Sequence, residues 1–237
     1  MALPKNILYP FDFSDRCRAS SPAVGGMARM LSVPVTILHA LDVDHLNKRI
    51  SPAELSAIRE DVSEKLDNFV TTELKLPNIQ CRIAEGDAAE CIVENASAME
   101  SPLIMMPTRG HTRFRQLLLG SVTAAVLHDA VCPVWTEAHT ETQTASGVYS
   151  AIVCAIELGF RTADVLQAAC EFSAKFYARL HIVHSVSRGD PRFRSDLADR
   201  AHSLLVDILD GLCVLVKHLG NTEMVGLRDE VLSLEEV

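Results

Sequence analysis

Residues 106–135 read MPTRGHTRFRQLLLGSVTAAVLHDAVCPVW, and the fold is decided by how this stretch is parsed. The apolar run Leu103–Met106 leads into it and has the length and character of a short buried strand. After Met106, Gly110 and Gly120 bracket nine residues. Ser121-Val122-Thr123 then opens a helical stretch, Val122–Ala130, and Pro133–Thr136 is a further strand. Strand, glycine-bracketed loop and helix start together make an anion-binding arrangement. Glycine lets the backbone approach a phosphate closely, and the first helical turn presents free N–H groups at the positive end of its dipole. The hydroxyls of Ser121 and Thr123 can add donors. Arg109 lies beside the loop and can supply charge, whereas Arg113 and Arg115 fit a solvated basic segment. The same residues also satisfy a plain helix start with two turn glycines.

Working outward, strands and helices alternate. Lys5–Tyr9 is a short apolar run before the polar turn Asp12-Phe13-Ser14-Asp15. A helix is expected over Ser20–Leu31, with Ala23, Met27, Met30 and Leu31 on one face. Val33–Leu41 is apolar and β-branched, as in a buried strand. Pro52–Leu74 reads as a long charged amphipathic helix, capped by Ser51 with Pro52 at its first position. Ile79–Ile83 is strand-like and Ala88–Met99 helical. Such alternation means βαβ units and a parallel α/β sheet. Ligands of these sheets bind beyond the carboxyl ends of the strands. The loops after Tyr9, Leu41 and Met106 are therefore the ones to inspect. Asp12, in the first of them, fits either a ligand-facing carboxylate or a turn residue that caps the next helix.

The bulk properties bound the function. A chain of 237 residues holds one large or two small domains, and 48% hydrophobic with 22% charged residues suits a globular core. The net charge of −9 argues against nucleic acid as a partner, which needs a basic footprint. Seven cysteines, none at C-x-x-C spacing and most in apolar segments, read as buried thiols of a reducing compartment. The opening MALPKNILYPFDF lacks the pattern of a secretory signal, and no apolar run is long enough to span a membrane. A cytoplasmic location is expected. Among nine histidines, His181 and His184 fall on opposite faces of a strand, and His39 and His184 fit packing or hydrogen-bonding groups. No metal site and no catalytic group is expected.

Glu137–Gly147 is polar and Thr-rich, a linker composition. Beyond it the pattern restarts. A shift of 145 positions places Ile7 on Ile152, Leu8 on Val153, Asp12 on Glu157, Ala23 on Ala168, Ile37 on Ile182, Leu38 on Val183 and His39 on His184. This predicts a strand over Ser150–Leu158, a helix over Thr162–Ala178 and a strand over Arg179–Val186. A helix over Arg194–Leu209 and a third strand over Thr222–Arg228 would follow. The counterpart of Gly110 would lie past Val237, so the second unit is expected to be incomplete in this chain or completed in another way: residues 1–140 would form one domain and 148–237 a second, incomplete one.

Several motifs together resemble the universal stress protein family, over residues 3–137. That family carries Gly-x2-Gly-x9-Gly-Ser/Thr after its fourth strand. Gly110, the nine-residue gap, Gly120 and Ser121 match it. The flanking LLLGSVT and HDAVCPV, the opening ILYPFDFSD and the strand-two ending ILHALD are similar too. The resemblance implies an open five-stranded parallel sheet in the order 3-2-1-4-5 with helices on both faces, a HUP or adenine nucleotide alpha hydrolase-like fold. It implies an adenine nucleotide ligand, ATP (with Mg²⁺), ADP or AMP. Pro10, Phe11, Asp12, Ala40, Met106, Pro107, Thr108, Arg109, Gly110, Gly120, Ser121, Val122 and Thr123 would form the site, the Ala40 backbone meeting adenine. It further implies a homodimer paired through last strands, with a stress-response or regulatory role. The departure is Pro107, where the family has its first glycine. Proline has no N–H, so a phosphate contact donated from that position is lost. An interaction module without nucleotide is the competing reading. Hydrolysis of ATP would be slow or absent, since no general base is placed beside a metal. The H-I-G-H, S-G-G-x-D-S and G-x-x-x-x-G-K-[ST] motifs of related enzymes are missing.

Overall fold

The computed structural model describes residues 3–43, 51–108, 120–137, 149–156 and 162–184. The chain divides into two compact units, one within Leu3–Val148 and one from Tyr149 onward.

The first unit is built on five strands: β1 (Asn6–Pro10), β2 (Val35–Leu41), β3 (Ile79–Glu85), β4 (Pro102–Pro107) and β5 (Val134–Glu137). They lie in the order β3-β2-β1-β4-β5, and every neighbouring pair is parallel. Helices α1 (Asp15–Leu31), α2 (Pro52–Phe69), α3 (Ala88–Ser97) and α4 (Ser121–Asp129) connect them. A central parallel strand is covered on both faces, so it is apolar residue after residue. Ile7, Leu8 and Tyr9 of β1 are all fully buried. Leu8, Leu38, Ile104 and Met106 pack against Ala89, Ile92 and Ala96 of α3 and Val126 of α4. On the opposite face the Tyr9 hydroxyl donates to the Cys17 carbonyl of α1 and meets Ser20 Oγ at 3.1 Å.

The local chemistry explains the boundaries. α1 begins five residues before the Ser20 start read from the sequence. Ser14 caps it, accepting the Cys17 N–H at 3.2 Å, and Pro22 sits inside it. Pro22 cannot donate to the Arg18 carbonyl; the Ser21 hydroxyl donates there instead, at 2.7 Å. α2 opens with a full capping box. Ser51 N–H donates to the Glu54 carboxylate at 2.8 Å and Glu54 N–H returns to Ser51 Oγ at 3.3 Å. The last turn of the expected Pro52–Leu74 helix is a π-helical segment, Val70–Leu74, closed by Lys75 in the left-handed region. β4 has a proline at each end. Its pairing with β1 stops at Ile104, so Pro107 lies past that ladder, where a missing N–H breaks no rung to β1.

In the second unit, β6 (Ala151–Ile156) and β7 (Arg179–His184) form a parallel pair joined by α5 (Thr162–Phe176). Cys154, Ile156 and Leu166 are its buried centre. Ile7 pairs with Val35 and Leu8 with Thr36 in the first unit; Ile152 pairs with Leu180 and Val153 with His181 in the second. Every partner is displaced by the same 145 positions. The helix ends also correspond. α1 stops at Ser32 (φ 59°), with Val33 N–H donating to the Ala28 carbonyl at 3.1 Å. α5 is followed by Tyr177 (φ 52°), with Ala178 N–H donating to the Ser173 carbonyl at 3.0 Å. This is the left-handed cap that ends many helices. The segments 138–147, Arg194–Leu209 and Thr222–Arg228 lie outside the described residues. Among the described residues, no helix is long and apolar enough to cross a membrane.

Candidate functional site

The carboxyl ends of β1, β2 and β4 and the first turn of α4 surround a cavity of about 250 Å³. It lies where the strand order reverses between β1 and β4, the position at which open α/β sheets take up ligands.

The β1 side is fixed by a tight turn. Phe11 N–H donates to the Leu38 carbonyl at 2.8 Å, after which β1 leaves the sheet. Phe13 adopts φ 61°, an uncommon conformation for a bulky residue. One Asp12 oxygen accepts the Ser14 N–H at 2.9 Å, and Ser14 in turn caps α1. Asp12 thus shapes the turn, Ser14 does the capping, and Asp12 still lines the cavity. The Cys17 thiol beside it is pushed up to about 12, first by burial and then by the Asp12 charge. Phe11 is buried, its ring stacked on Phe69 at 4.2 Å, with the Arg18 guanidinium 5.9 Å from its centre. Arg18 is held there by Glu73.

The β4–α4 side is a second tight arrangement. Gly120 precedes α4 with φ −64° and ψ 152°, angles open to any residue, so its lack of a side chain rather than its backbone freedom is what distinguishes it. Its N–H donates to the Thr108 carbonyl at 2.9 Å, which closes the base of the intervening loop. Thr123 is buried and its hydroxyl donates to the Pro107 carbonyl at 3.2 Å. Two donors expected from the sequence, the Gly120 N–H and the Thr123 hydroxyl, are therefore committed within the protein. The backbone N–H groups of Ser121, Val122 and Thr123 have no partner among the described residues, because the first turn of a helix supplies none and no described side chain caps α4. The Ser121 hydroxyl is exposed beside them.

Of the residues named from the sequence, Pro10, Phe11, Asp12 and Ala40 line this cavity, as do Met106, Pro107 and Gly120 through Thr123. Thr108 does not line it; its carbonyl accepts the N–H of Gly120, which does. Arg109 and Gly110 lie outside the described residues, as do Arg113 and Arg115. Cys17, Leu38, His39, Ala88 and Ile92 also line it and were not named for the site. His39 carried a signal, a polar residue at the end of an apolar strand. Ala88 and Ile92 carried none, since only the crossover from β3 back to β4 brings α3 over this edge. The described residues hold no cluster of three metal-ligating side chains.

A parallel sheet of this order, with an apolar cavity, a carboxylate and a helix start that no described side chain caps at its switch point, defines a class of doubly wound α/β proteins. Residues 4–136 match the model of the universal stress protein family, and the chain belongs to that family. Universal stress protein MJ0577 of Methanocaldococcus jannaschii is 29% identical over 149 residues, which cover 55% of this chain and 92% of that protein. A solved structure of MJ0577 matches with a TM-score of 0.53 at 26% identity, over 60% of this chain and 100% of that one. The crystal structure of a universal stress protein from Archaeoglobus fulgidus DSM 4304 shares the fold at 22% identity. Its TM-score is 0.65, over 87% of this chain and 76% of that one.

Proposed function

We propose that the cavity of the first unit binds an adenine nucleotide, ATP or AMP, and that the protein acts as a nucleotide-responsive stress or regulatory protein. The observation that carries this reading is that Asp12 and the first turn of α4, which no described side chain caps, line one switch-point cavity. A carboxylate accepts hydrogen bonds from ribose hydroxyls, and helix-start amides donate to phosphate. Apolar walls from Leu38, Ile92 and Met106 suit a flat base. The volume lies just under the ~300–1,000 Å³ usual for ligand sites, which suits a nucleoside inside with phosphates directed to α4. Ala40 would meet the base through its backbone. Thr108, Arg109 and Gly110 would complete the phosphate side, with Mg²⁺ accompanying ATP.

A second reading is favoured by Pro107 and by the Gly120 amide. One has no N–H and the other spends its N–H on Thr108, so the loop has fewer donors than the family motif supplies. On that reading the protein is an interaction module. In both, β5 at the sheet edge would pair with its copy in a cytoplasmic homodimer, since an open strand edge templates pairing. The matching registers and helix ends of β1-α1-β2 and β6-α5-β7 support a reading of the second unit as a repeat of the same βαβ kind.

Thermal denaturation of the full chain with and without millimolar ATP and Mg²⁺, or AMP, separates the readings. At about 100 times its dissociation constant a ligand adds ~2.7 kcal/mol of stability. A rise in melting temperature that Asp12→Ala abolishes supports the nucleotide site; no rise for either nucleotide favours the interaction module.

A further inference from the structure

Strand β2 is central, so its backbone groups point alternately to β1 and to β3. The Leu38 carbonyl faces β1, where it accepts the Phe11 N–H at 2.8 Å. The Leu41 carbonyl faces the other way, accepting the Gly86 N–H at 2.9 Å just past β3. Ala40, two residues from Leu38, therefore directs its N–H and C=O toward β1. In a regular parallel ladder the next rung would run from the Ala40 N–H to the Phe11 carbonyl. Instead that carbonyl meets Nδ1 of the His39 ring at 2.7 Å. A carbonyl only accepts, so Nδ1 carries the hydrogen. The ring is held in place by Phe13, whose centre lies 4.9 Å away.

We infer that His39 is a positioning residue for the nucleotide site: its imidazole takes over the Phe11 carbonyl and thereby leaves the Ala40 backbone free at the cavity wall. This inference rests on the nucleotide reading above for its consequence, though not for its geometry. The side-chain rung ends the β1–β2 ladder one step early. β1 turns away at Phe13, Asp12 swings into the cavity, and a peptide edge on β2 is left to pair with an adenine edge. Without the imidazole, the Phe11 carbonyl would be buried and unsatisfied, and the donor that a regular ladder offers it is the Ala40 N–H. The ladder would then zip by one rung and consume the group that reads the base. An ordinary packing histidine has no such effect on its neighbour's amide.

The test uses amide hydrogen exchange by NMR on the full-length protein, together with calorimetric titration of AMP and of ATP with Mg²⁺. In the wild type, the Ala40 amide should exchange at least tenfold faster than the amides of Leu38 and Leu41. In His39→Leu it should become protected by at least tenfold while AMP affinity falls about tenfold. His39→Asn, which keeps a donor at the position of Nδ1, should restore both to within threefold. An Ala40 amide already as protected as its neighbours in the wild type overturns the inference, whether or not the variants fold. So does a wild-type imidazole with its hydrogen on Nε2 rather than Nδ1, read from ring ¹⁵N shifts, or an Asn variant that behaves as Leu does. If the wild type binds neither nucleotide while the Ala40 amide responds as described, the nucleotide reading fails and the role of His39 in ending the ladder stands.

Discussion

Replacing Thr123 by valine keeps the shape of the side chain and removes its hydroxyl, so it isolates the bond that ties the start of α4 to the end of β4. Thr123 is 2% exposed and its hydroxyl donates to the carbonyl of the buried Pro107 at 3.2 Å. A buried acceptor left without a donor costs ~1–3 kcal/mol. The bond is at the long end of the usual range and the cavity adjoins it, so water can partly replace the hydroxyl. The expected loss is therefore near the lower limit, ~1 kcal/mol. For a chain of this size that lowers the melting temperature by about 2–4 °C. The single tryptophan, Trp135 on β5, reports unfolding of the first unit by fluorescence in urea or on heating. Thr123→Ser provides the contrast. It keeps the hydroxyl and gives up one buried methyl, ~0.8 kcal/mol. Its stability should fall by a similar amount, yet it should bind AMP as the wild type does. The valine variant, with α4 untethered, should bind several-fold more weakly. A valine variant as stable as the wild type, or valine and serine variants with equal affinities, would refute the role given to this hydroxyl.

Further outcomes follow from the same geometry. Pro107→Gly should lower the melting temperature by a few degrees, because glycine gains more unfolded-state freedom, and should tighten nucleotide binding by restoring an N–H at the mouth of β4; calorimetry on the two proteins checks both. The Glu54 carboxyl is held below the ordinary carboxylate range by the Ser51 N–H and hydroxyl. Its folded value is lowered, so its contribution is present at neutral pH and is lost as pH falls from the ordinary carboxylate value through the lowered one. Glu54→Gln, which removes the titrating group, should accordingly show a shallower loss of melting temperature on acidification. The Cys17 thiol, pushed up to about 12 by burial and by Asp12, should not react with Ellman's reagent at pH 8 in the folded protein and should react on unfolding in urea.

The alternation of apolar runs and amphipathic stretches made the order of elements legible, because a buried parallel sheet writes itself as near-continuous hydrophobic strands. All five strands of the first unit and β6-α5-β7 fall where that reading places them, within a few residues. The expected helix over Ser20–Leu31 missed the first five residues of α1, and nothing local says that Ser14 caps it or that the Ser21 hydroxyl covers the carbonyl that Pro22 leaves bare. At the site, glycine spacing and a strand-end Asp located the cavity, yet the sequence was silent on where each donor points. The Gly120 amide goes to Thr108, the Thr123 hydroxyl goes to Pro107, and the His39 imidazole goes to Phe11. Each of these bonds joins residues that only the folded sheet brings together.

Titrating AMP into ¹⁵N-labelled full-length protein asks which backbone amides meet the nucleotide. Saturable shifts at Asp12, Ala40 and Ser121 through Thr123, with those of α5 unmoved, are the predicted result. Shifts confined to other surfaces, or none at these amides at millimolar AMP, would contradict a nucleotide held between the ends of β1 and β2 and the start of α4.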